Sequence, residues 1–156
     1  MAVAVLNTPK VQGEVCFYQK KGGVLVDATF SRLPPGEHGF HIHRAGDLRG
    51  EGCKAACDHW HKGKPTQHGG PPQHKGPRHT GDLGNVNPSN SHTQHFLKHV
   101  SLEELYGRSV IVHEDEDDYG RGPHDDSKTT GHSGARIACA VIGRMEGCPM
   151  STRKKK

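Results

Sequence analysis

The chain has 156 residues, of which 31% are hydrophobic and 24% are charged, with 21 glycines, 14 histidines and a net charge of +4 when histidine is neutral. This length fits one domain, which we expect at residues 1–150, followed by a basic tail at 151–156. No apolar run is long enough to cross a membrane, and the first residues lack the basic and apolar regions of a secretory signal. We therefore expect a soluble, cytoplasmic protein.

Short apolar segments that alternate with polar residues occur in both halves of the chain, separated by turn residues. Alternation with a period of two predicts strands, and the turn residues place them at hairpin spacing. The predicted strands cover residues 2–6, 14–19, 24–30, 38–43, 95–102, 109–114 and 136–143. Residues 101–107 are typical of one helical turn, and no segment keeps a helical period for three turns. The pattern predicts an all-β sandwich or barrel with little helix.

Two long stretches interrupt the predicted strands, at residues 46–90 and 114–134. The first is rich in glycine, proline, histidine and lysine, and the second in acidic residues, glycine and threonine. Loops of this length inside a domain are either functional or disordered, and a bound metal would order the histidines. We therefore expect two functional loops.

Histidine spacing indicates metal binding, since histidine is the commonest metal ligand. His41 and His43 are two residues apart in a predicted strand, so both imidazoles face the same side. His113 lies at the end of another predicted strand. The first long loop offers further ligands, which are Cys53, His59, His61, His68, His74, His79 and Asp82. Three or four imidazoles with an open position suit redox copper, whereas three histidines and one carboxylate suit zinc.

Five segments, in this order, resemble the copper,zinc superoxide dismutase family, its giant-virus members included. They are GFHIHRAGD at 39–47, HGGP at 68–71, RHTGDLGNV at 78–86, VIVHEDEDD at 110–118 and GHSGARIACAVIG at 131–143. The last segment is the most specific. The resemblance implies an immunoglobulin-like Greek-key β-barrel of about eight antiparallel strands with two functional loops.

The resemblance also implies the metal ligands, with one histidine shared by copper and zinc. The implied sets are His41, His43, His59 and His113 for copper, and His59, His68, His79 and Asp82 for zinc. His59 is chosen as the shared ligand because it follows Cys53 by six residues, as in the family, and His61 remains the alternative. Asp117, four residues after His113, matches a carboxylate that hydrogen-bonds one copper and one zinc histidine. Its other interpretation is a place in a solvated acidic run.

Further matched positions concern a disulfide and the path of the substrate. The resemblance implies a disulfide between Cys53 and Cys139, for which Cys57 is a competitor. Arg136 matches an arginine that guides the anion, and Thr130 matches a residue that narrows the channel. The implied electrostatic loop includes Asp125, Asp126 and Lys128, the last of them one position early.

The implied reaction converts two superoxide anions and two protons into oxygen and hydrogen peroxide, with copper cycling between two oxidation states and His59 taking up a proton. The implied partner is a second copy of the chain, although Arg144 stands where an apolar interface residue is common. Neither neighbour of Arg136, Ala135 or Ile137, is the proline that accompanies a need for a copper chaperone, so we expect loading without one. A viral enzyme would act in the host-cell cytoplasm or the virion.

Two other functions compete with this interpretation. A non-catalytic copper- or zinc-binding module of the same fold is the alternative, but the chain retains Arg136 and every implied copper ligand. A nucleic-acid or membrane-surface protein that uses the basic tail would need an aromatic platform or a basic stripe, and the sequence shows neither. We therefore expect neither nucleic acid nor a membrane as a partner.

Overall fold

The computed structural model describes residues 1–148, so the predicted basic tail at 151–156 lies outside the described residues. Two antiparallel sheets make up the fold. The first contains β1 (Ala2–Asn7), β2 (Gln12–Lys20), β3 (Gly23–Arg32), β6 (His92–Lys98) and β9 (Gly143–Arg144), in the order β6-β3-β2-β1-β9. The second contains β4 (His38–His43), β5 (Asp82–Val86), β7 (Ser109–His113) and β8 (Arg136–Val141), in the order β5-β4-β7-β8.

The predicted all-β sandwich is confirmed, and residues 1–148 contain nine strands where about eight were expected. Some strands pair with strands that are distant in sequence, as β3 does with β6 and β4 with β7. This pairing agrees with the Greek-key arrangement. Helices are short, namely α1 (Leu102–Leu105), α2 (Ser127–Thr130) and a 3-10 turn at Lys54–Ala56. Within residues 1–148, no helix is long and apolar enough to cross a membrane.

The core lies between the two sheets and is built from alternate residues of the strands. In β1, Ala4 and Leu6 are fully or almost fully buried, whereas Val5 between them is 56% exposed. The rings of Phe30 and Phe40 meet edge to face across the sheets, with centroids 5.7 Å apart. This contact joins β3 to β4 and anchors the strand that carries the first two predicted ligands.

Strand β4 is buried along its whole length. Phe40 and Ile42 belong to the core, so His41 and His43, which alternate with them, point to the opposite face of the sheet. That face is covered as well, because His41 and His43 are at most 1% exposed. The cover comes from the two long loops, so the fold creates a buried polar layer outside the apolar core.

The sequence pattern does not predict β5, because Asp82–Val86 lies inside the first long loop and lacks a clear alternation. Gly84 has φ +77°, in the left-handed region that favours glycine. The strand forms because β4 offers it an edge to pair with, and the pairing places Asp82 opposite His41. A tertiary contact therefore turns part of the predicted loop into sheet.

The segment around residue 100 also differs in detail from its prediction. The predicted strand 95–102 begins earlier, at His92, and ends at Lys98. The single helical turn predicted within 101–107 is confirmed as α1. Its start is stabilised by a capping box, in which the Glu104 carboxylate accepts the Ser101 N–H at 2.8 Å.

The predicted disulfide is confirmed, since Cys53 is bonded to Cys139, 86 residues later. It ties the first long loop to β8. The competitor Cys57 is a free thiol, as are Cys16 and Cys148. A cross-link that closes a loop of this length stabilises the fold by about 4 to 5 kcal/mol in the chain-entropy model.

His95 is a buried histidine on β6, 7% exposed. Its Nδ1 lies 3.2 Å from the Gln73 Oε1, and its Nε2 has no hydrogen-bond partner. Burial, followed by the charge of Arg78, lowers the pKa of His95 to about 4, whereas an unfolded histidine titrates near pH ~6.5. Between these two values the unfolded chain binds a proton that the folded chain does not, so stability falls as the pH falls through this window.

Replacing Cys53 with serine should lower the free energy of unfolding by about 4 kcal/mol, because the unfolded chain loses its cross-link. Denaturant titration under oxidising conditions measures this change. Cys57→Ser is the matched control, and we expect it to change the free energy by no more than about 1 kcal/mol. An equal loss in both variants would contradict the pairing of Cys53 with Cys139.

Replacing His95 with glutamine should remove this residue's part of the acid sensitivity. The loss of unfolding free energy between pH ~6.5 and ~4 should become smaller by roughly 3 kcal/mol, since one pKa unit equals about 1.4 kcal/mol. Denaturant titrations across this range measure the difference between variant and wild type. His92→Gln, on the same strand with a 57% exposed side chain, is the surface control for the substitution itself. An unchanged pH dependence in His95→Gln would refute the assignment.

Candidate metal centre

Two strands and a loop bring four histidines to the outer face of the second sheet. His41 and His43 point there from β4, and His113 ends β7, which pairs with β4. His59 joins them from the first long loop, because a backbone bridge pairs it with His43. Each residue of this four-histidine group offers a ring nitrogen, and these nitrogens all lie within 4.8 Å of one another.

Each ring of the four-histidine group has one buried nitrogen without a hydrogen-bond partner. These atoms are His41 Nδ1 and the Nε2 atoms of His43, His59 and His113. The second nitrogen of each ring is bonded, for example His43 Nδ1 to the Cys57 carbonyl oxygen at 2.7 Å. Similarly, His113 Nδ1 lies 3.2 Å from the Gly134 carbonyl oxygen. Because a carbonyl oxygen accepts the ring N–H, these bonds leave the lone pair on the inward nitrogen.

Burial keeps these imidazoles neutral. It lowers the pKa of His43 to about 2 and that of His113 to about 3, and it also lowers the pKa of His41 and of His59. Buried polar atoms without partners are rare in folded proteins and call for an explanation. Four neutral imidazoles whose lone pairs converge explain them as ligands of a transition-metal ion, and the donor set suits copper.

His59 belongs to a second group through its other ring nitrogen. The Nδ1 atoms of His59 and His68 each lie 3.0 Å from Asp82 Oδ1 and are 3.2 Å apart, and His79 Nδ1 lies 3.4 Å from the same oxygen. Tetrahedral zinc, with ligands about 2.0–2.1 Å away, requires ligand separations of about 3.3 Å. In this three-histidine–aspartate group, His59, His68 and Asp82 fit zinc in both chemistry and spacing, whereas His79 lies farther out, beyond the compact cluster that those three form with His41.

The buried carboxylate of Asp117 connects the two groups. Its Oδ2 lies 2.5 Å from His41 Nε2, and its Oδ1 lies 2.7 Å from His68 Nε2. His41 also comes within 4.8 Å of the ligand atoms of His59, His68 and Asp82, but Asp117 already engages its Nε2. Burial lowers the pKa of His68, but hydrogen bonds to Asp117 and Asp82 outweigh it and raise this pKa to about 9. The centre therefore favours positive charge between these carboxylates.

Sequence reasoning misses two groups that hold this centre in place. The side chain of Asn85 accepts the Asp117 N–H at 2.7 Å and donates to the Asp117 carbonyl oxygen at 2.9 Å. Asn85 lies in the RHTGDLGNV segment, which carries the resemblance to the family and also contains the predicted ligands His79 and Asp82. The segment therefore points to this region of the chain, but it assigns no role to Asn85 itself. The second group is the Cys57 carbonyl, and a backbone atom has no signal in the sequence.

A cleft of about 620 Å³ opens onto the four-histidine group and includes Arg136 in its lining. The Arg136 guanidinium donates to the carbonyl oxygens of Cys53 at 2.7 Å and Cys57 at 2.6 Å. The lining also contains three residues that the sequence places on the substrate path, Asp126, Lys128 and Thr130. Asp125, predicted with them, is exposed and does not line the cleft.

The two remaining loop histidines lie outside both groups. Both ring nitrogens of His61 are engaged, Nε2 with the Lys64 carbonyl oxygen at 2.8 Å and Nδ1 with the Thr80 N–H at 3.1 Å. The ring of His74 packs edge to face on Tyr119, with centroids 5.0 Å apart. Contacts with Lys64, Thr80 and Tyr119 therefore hold these two rings.

Comparison with known proteins gives one family and several relatives. The sequence model of the copper/zinc superoxide dismutase family matches residues 11–142. The Rattus norvegicus copper chaperone for superoxide dismutase is 42% identical over 151 residues, which are 94% of this chain and 54% of the relative. The extracellular superoxide dismutase [Cu-Zn] of Haemonchus contortus is 43% identical, over 88% of this chain and 76% of the relative. Superoxide dismutase [Cu-Zn] of Paramecium bursaria Chlorella virus 1 is 41% identical, over 91% of this chain and 77% of the relative.

This chain spans about half the length of the rat copper chaperone that it matches and about three quarters of the two dismutases. Among solved structures, the clock protein EA4 has a TM-score of 0.77 and 41% sequence identity, with 91% of this chain and 92% of that chain covered. The comparisons of sequence and of fold each cover about nine tenths of this chain. The chain belongs to the copper/zinc superoxide dismutase family.

Proposed function

We propose that the chain is a superoxide dismutase, which converts two superoxide anions and two protons into oxygen and hydrogen peroxide. In this proposal the four-histidine group binds copper and the three-histidine–aspartate group binds zinc. The observation that carries the proposal is the convergence of four buried, unpaired imidazole nitrogens beside a cleft that contains Arg136. Membership of the family supports the same chemistry.

His59 connects the two groups, because its ring nitrogens face different ligands. Its Nε2 belongs to the four-histidine group, and its Nδ1 lies 3.0 Å from Asp82 Oδ1. When bound, copper supplies a one-electron redox couple and zinc supplies a fixed positive charge on the far side of the ring. His59 also lines the cleft, so its Nε2 can hold a proton and donate it to an anion there. We assign this proton transfer to His59.

Arg136 is placed to bind the substrate anion. Two of its N–H groups are held by the carbonyl oxygens of Cys53 and Cys57. A guanidinium has five N–H donors, so the others remain for an anion in the cleft. Lys128 adds positive charge to the same lining, which also contains Thr130, the residue that matches the family's channel-narrowing position. A fixed positive charge beside an open ligand position raises the local concentration of a small anion.

Asp117 acts as a positioning residue in this proposal. Its two carboxylate oxygens hold the Nε2 atoms of His41 and His68, so both rings present Nδ1 to the centre. A carboxylate partner of this kind fixes the tautomer and raises the basicity of a metal-binding histidine.

A non-catalytic copper- or zinc-binding module remains the alternative function. The observation that favours it is the match to the rat copper chaperone, whose similarity to this chain equals that of the dismutases. Such a module needs the ligands but has no need of an anion-binding arginine in the cleft. The position of Arg136 therefore supports catalysis over storage.

The proposal extends to the setting in which the protein works. It includes a homodimer, loading without a copper chaperone, and a cytoplasmic location, or the host-cell cytoplasm or virion if the chain is viral. The exposed Arg144 stacks on the Tyr106 ring at 4.6 Å, so an interface there would include a cation–π pair instead of the apolar contact common at this position. Sedimentation of the purified protein tests the dimer.

The purified protein should contain about one copper and one zinc per chain and dismutate superoxide near the diffusional limit. His113→Ala should lose copper and activity but retain zinc, because His113 belongs to the four-histidine group alone. Metal analysis by mass spectrometry and pulse radiolysis measure the two properties on the same sample.

The matched control for this experiment is His61→Ala. It removes a loop histidine whose ring nitrogens are already bonded elsewhere, so both metals and the activity should remain. Copper and zinc bound without dismutation in the wild type would favour the non-catalytic module. Activity in His113→Ala equal to that of the wild type would contradict the copper assignment.

Replacing Arg136 with glutamine should lower kcat/KM about tenfold or more and leave the metal content unchanged, because the cleft loses a positive charge. The salt dependence of the rate should also weaken. Arg136→Lys, which keeps the charge, should recover part of the rate. The control is Arg49→Gln, since the Arg49 side chain is 90% exposed and pairs only with Asp47. A salt dependence that survives in Arg136→Gln would assign the steering to other charges.

A further inference from the structure

A histidine pair outside both metal groups lies next to α2. The rings of His124 and His132 stack face to face, with centroids 3.6 Å apart and planes inclined by 11°. Both residues are exposed. The proposed dismutase chemistry uses neither of them, and the resemblance to the family assigns them no role.

Asp126 orients one ring of this pair. Its Oδ1 accepts a hydrogen bond from His132 Nδ1 at 2.6 Å, and this bond lowers the pKa of the Asp126 carboxyl. A proton held on Nδ1 leaves the lone pair of His132 on Nε2. A metal-binding histidine usually donates the N–H of its second ring nitrogen to a carboxylate, a backbone carbonyl or water, and Asp126 is such a partner.

The backbone on both sides of the pair is held by further contacts. The His124 N–H donates to Ser127 Oγ at 3.2 Å, and the His124 carbonyl accepts the Ser127 N–H at 3.1 Å. Ser127 is 1% exposed, and its hydroxyl donates to Asp118 Oδ2 at 2.6 Å. His132 has φ +55°, a region that residues with a Cβ rarely adopt. The loop therefore presents the two imidazoles together at a defined point of the surface.

We propose that His124 and His132 bind one divalent transition-metal ion, with Asp126 orienting His132 and water completing the coordination. Imidazole pairs suit Cu²⁺, Ni²⁺ or Zn²⁺, whereas Mg²⁺ and Ca²⁺ prefer oxygen ligands. Because the two ring planes are nearly parallel, binding requires the exposed side chains to rotate to rotamers in which both lone pairs face a common ion.

The position of this pair connects it to the cleft. Asp126, which holds His132, also lines the cleft together with His43, His113 and Arg136. A bound cation would therefore lie next to Asp126 and offset its negative charge at the edge of the cleft. The inference does not depend on the proposed dismutase activity, because binding at an exposed histidine pair needs no catalysis.

Isothermal titration of the purified protein, carrying its bound metals, with Ni²⁺ tests the proposal. The wild type should bind one equivalent, and His124→Ala and His132→Ala should each weaken this binding at least tenfold. Asp126→Asn should weaken it about tenfold, the usual effect of losing the carboxylate behind a ligating histidine. The matched control is His92→Ala, which removes an exposed histidine that pairs with Asp27 in the same way, and its affinity for Ni²⁺ should equal that of the wild type.

Two further readouts locate the ion. Paramagnetic Ni²⁺ should broaden the imidazole proton resonances of His124 and His132 before those of His92. Zn²⁺, added in excess as a diamagnetic competitor, should reverse the broadening. Circular dichroism verifies that the variants are folded. Equal Ni²⁺ affinity in wild type, His124→Ala and His132→Ala, or no Ni²⁺ binding by the wild type, would overturn the proposal.

Discussion

The carboxylate of Asp117 is the interaction on which the candidate metal centre depends. It lies in the second long loop, yet its oxygens bond to His41 on β4 and to His68 in the first long loop. Asn85 on β5 holds the backbone of Asp117 from the other side. A buried carboxylate without such partners would be costly, so these contacts must form together. One side chain thereby joins a sheet and two loops into a single site.

The geometry of the sheet explains why this site can be both buried and polar. Side chains of β4 alternate between the apolar core and a second layer beneath the loops. His41 and His43 are therefore shielded from solvent although they do not belong to the apolar core. Their neutral rings keep one nitrogen each for a ligand. The disulfide at Cys53 holds the loop whose carbonyl oxygens fix both His43 and Arg136. The candidate ligand His43 and Arg136 are therefore aligned by the same segment of backbone.

Exposure separates this centre from the pair of His124 and His132 on the surface. In the four-histidine group, burial suppresses protonation of the rings, and the second nitrogen of each ring has a hydrogen-bond partner. At the surface pair, one carboxylate orients one ring, and both residues are exposed. The first arrangement suits tightly held ions, and the second suits an exchangeable ion.

The sequence by itself determined the all-β class, the single turn at α1 and the shared face of His41 and His43, because strand and helix periodicity are local properties. The five family segments led to the other candidate ligands, Asp117 and the Cys53–Cys139 disulfide. Only the tertiary structure decided that Asp82–Val86 forms a strand, since the edge of β4 provides its partner. It also placed His59, and not His61, beside the other ligands, and stacked two histidines eight residues apart. Such choices depend on contacts between distant segments, and no local pattern encodes them.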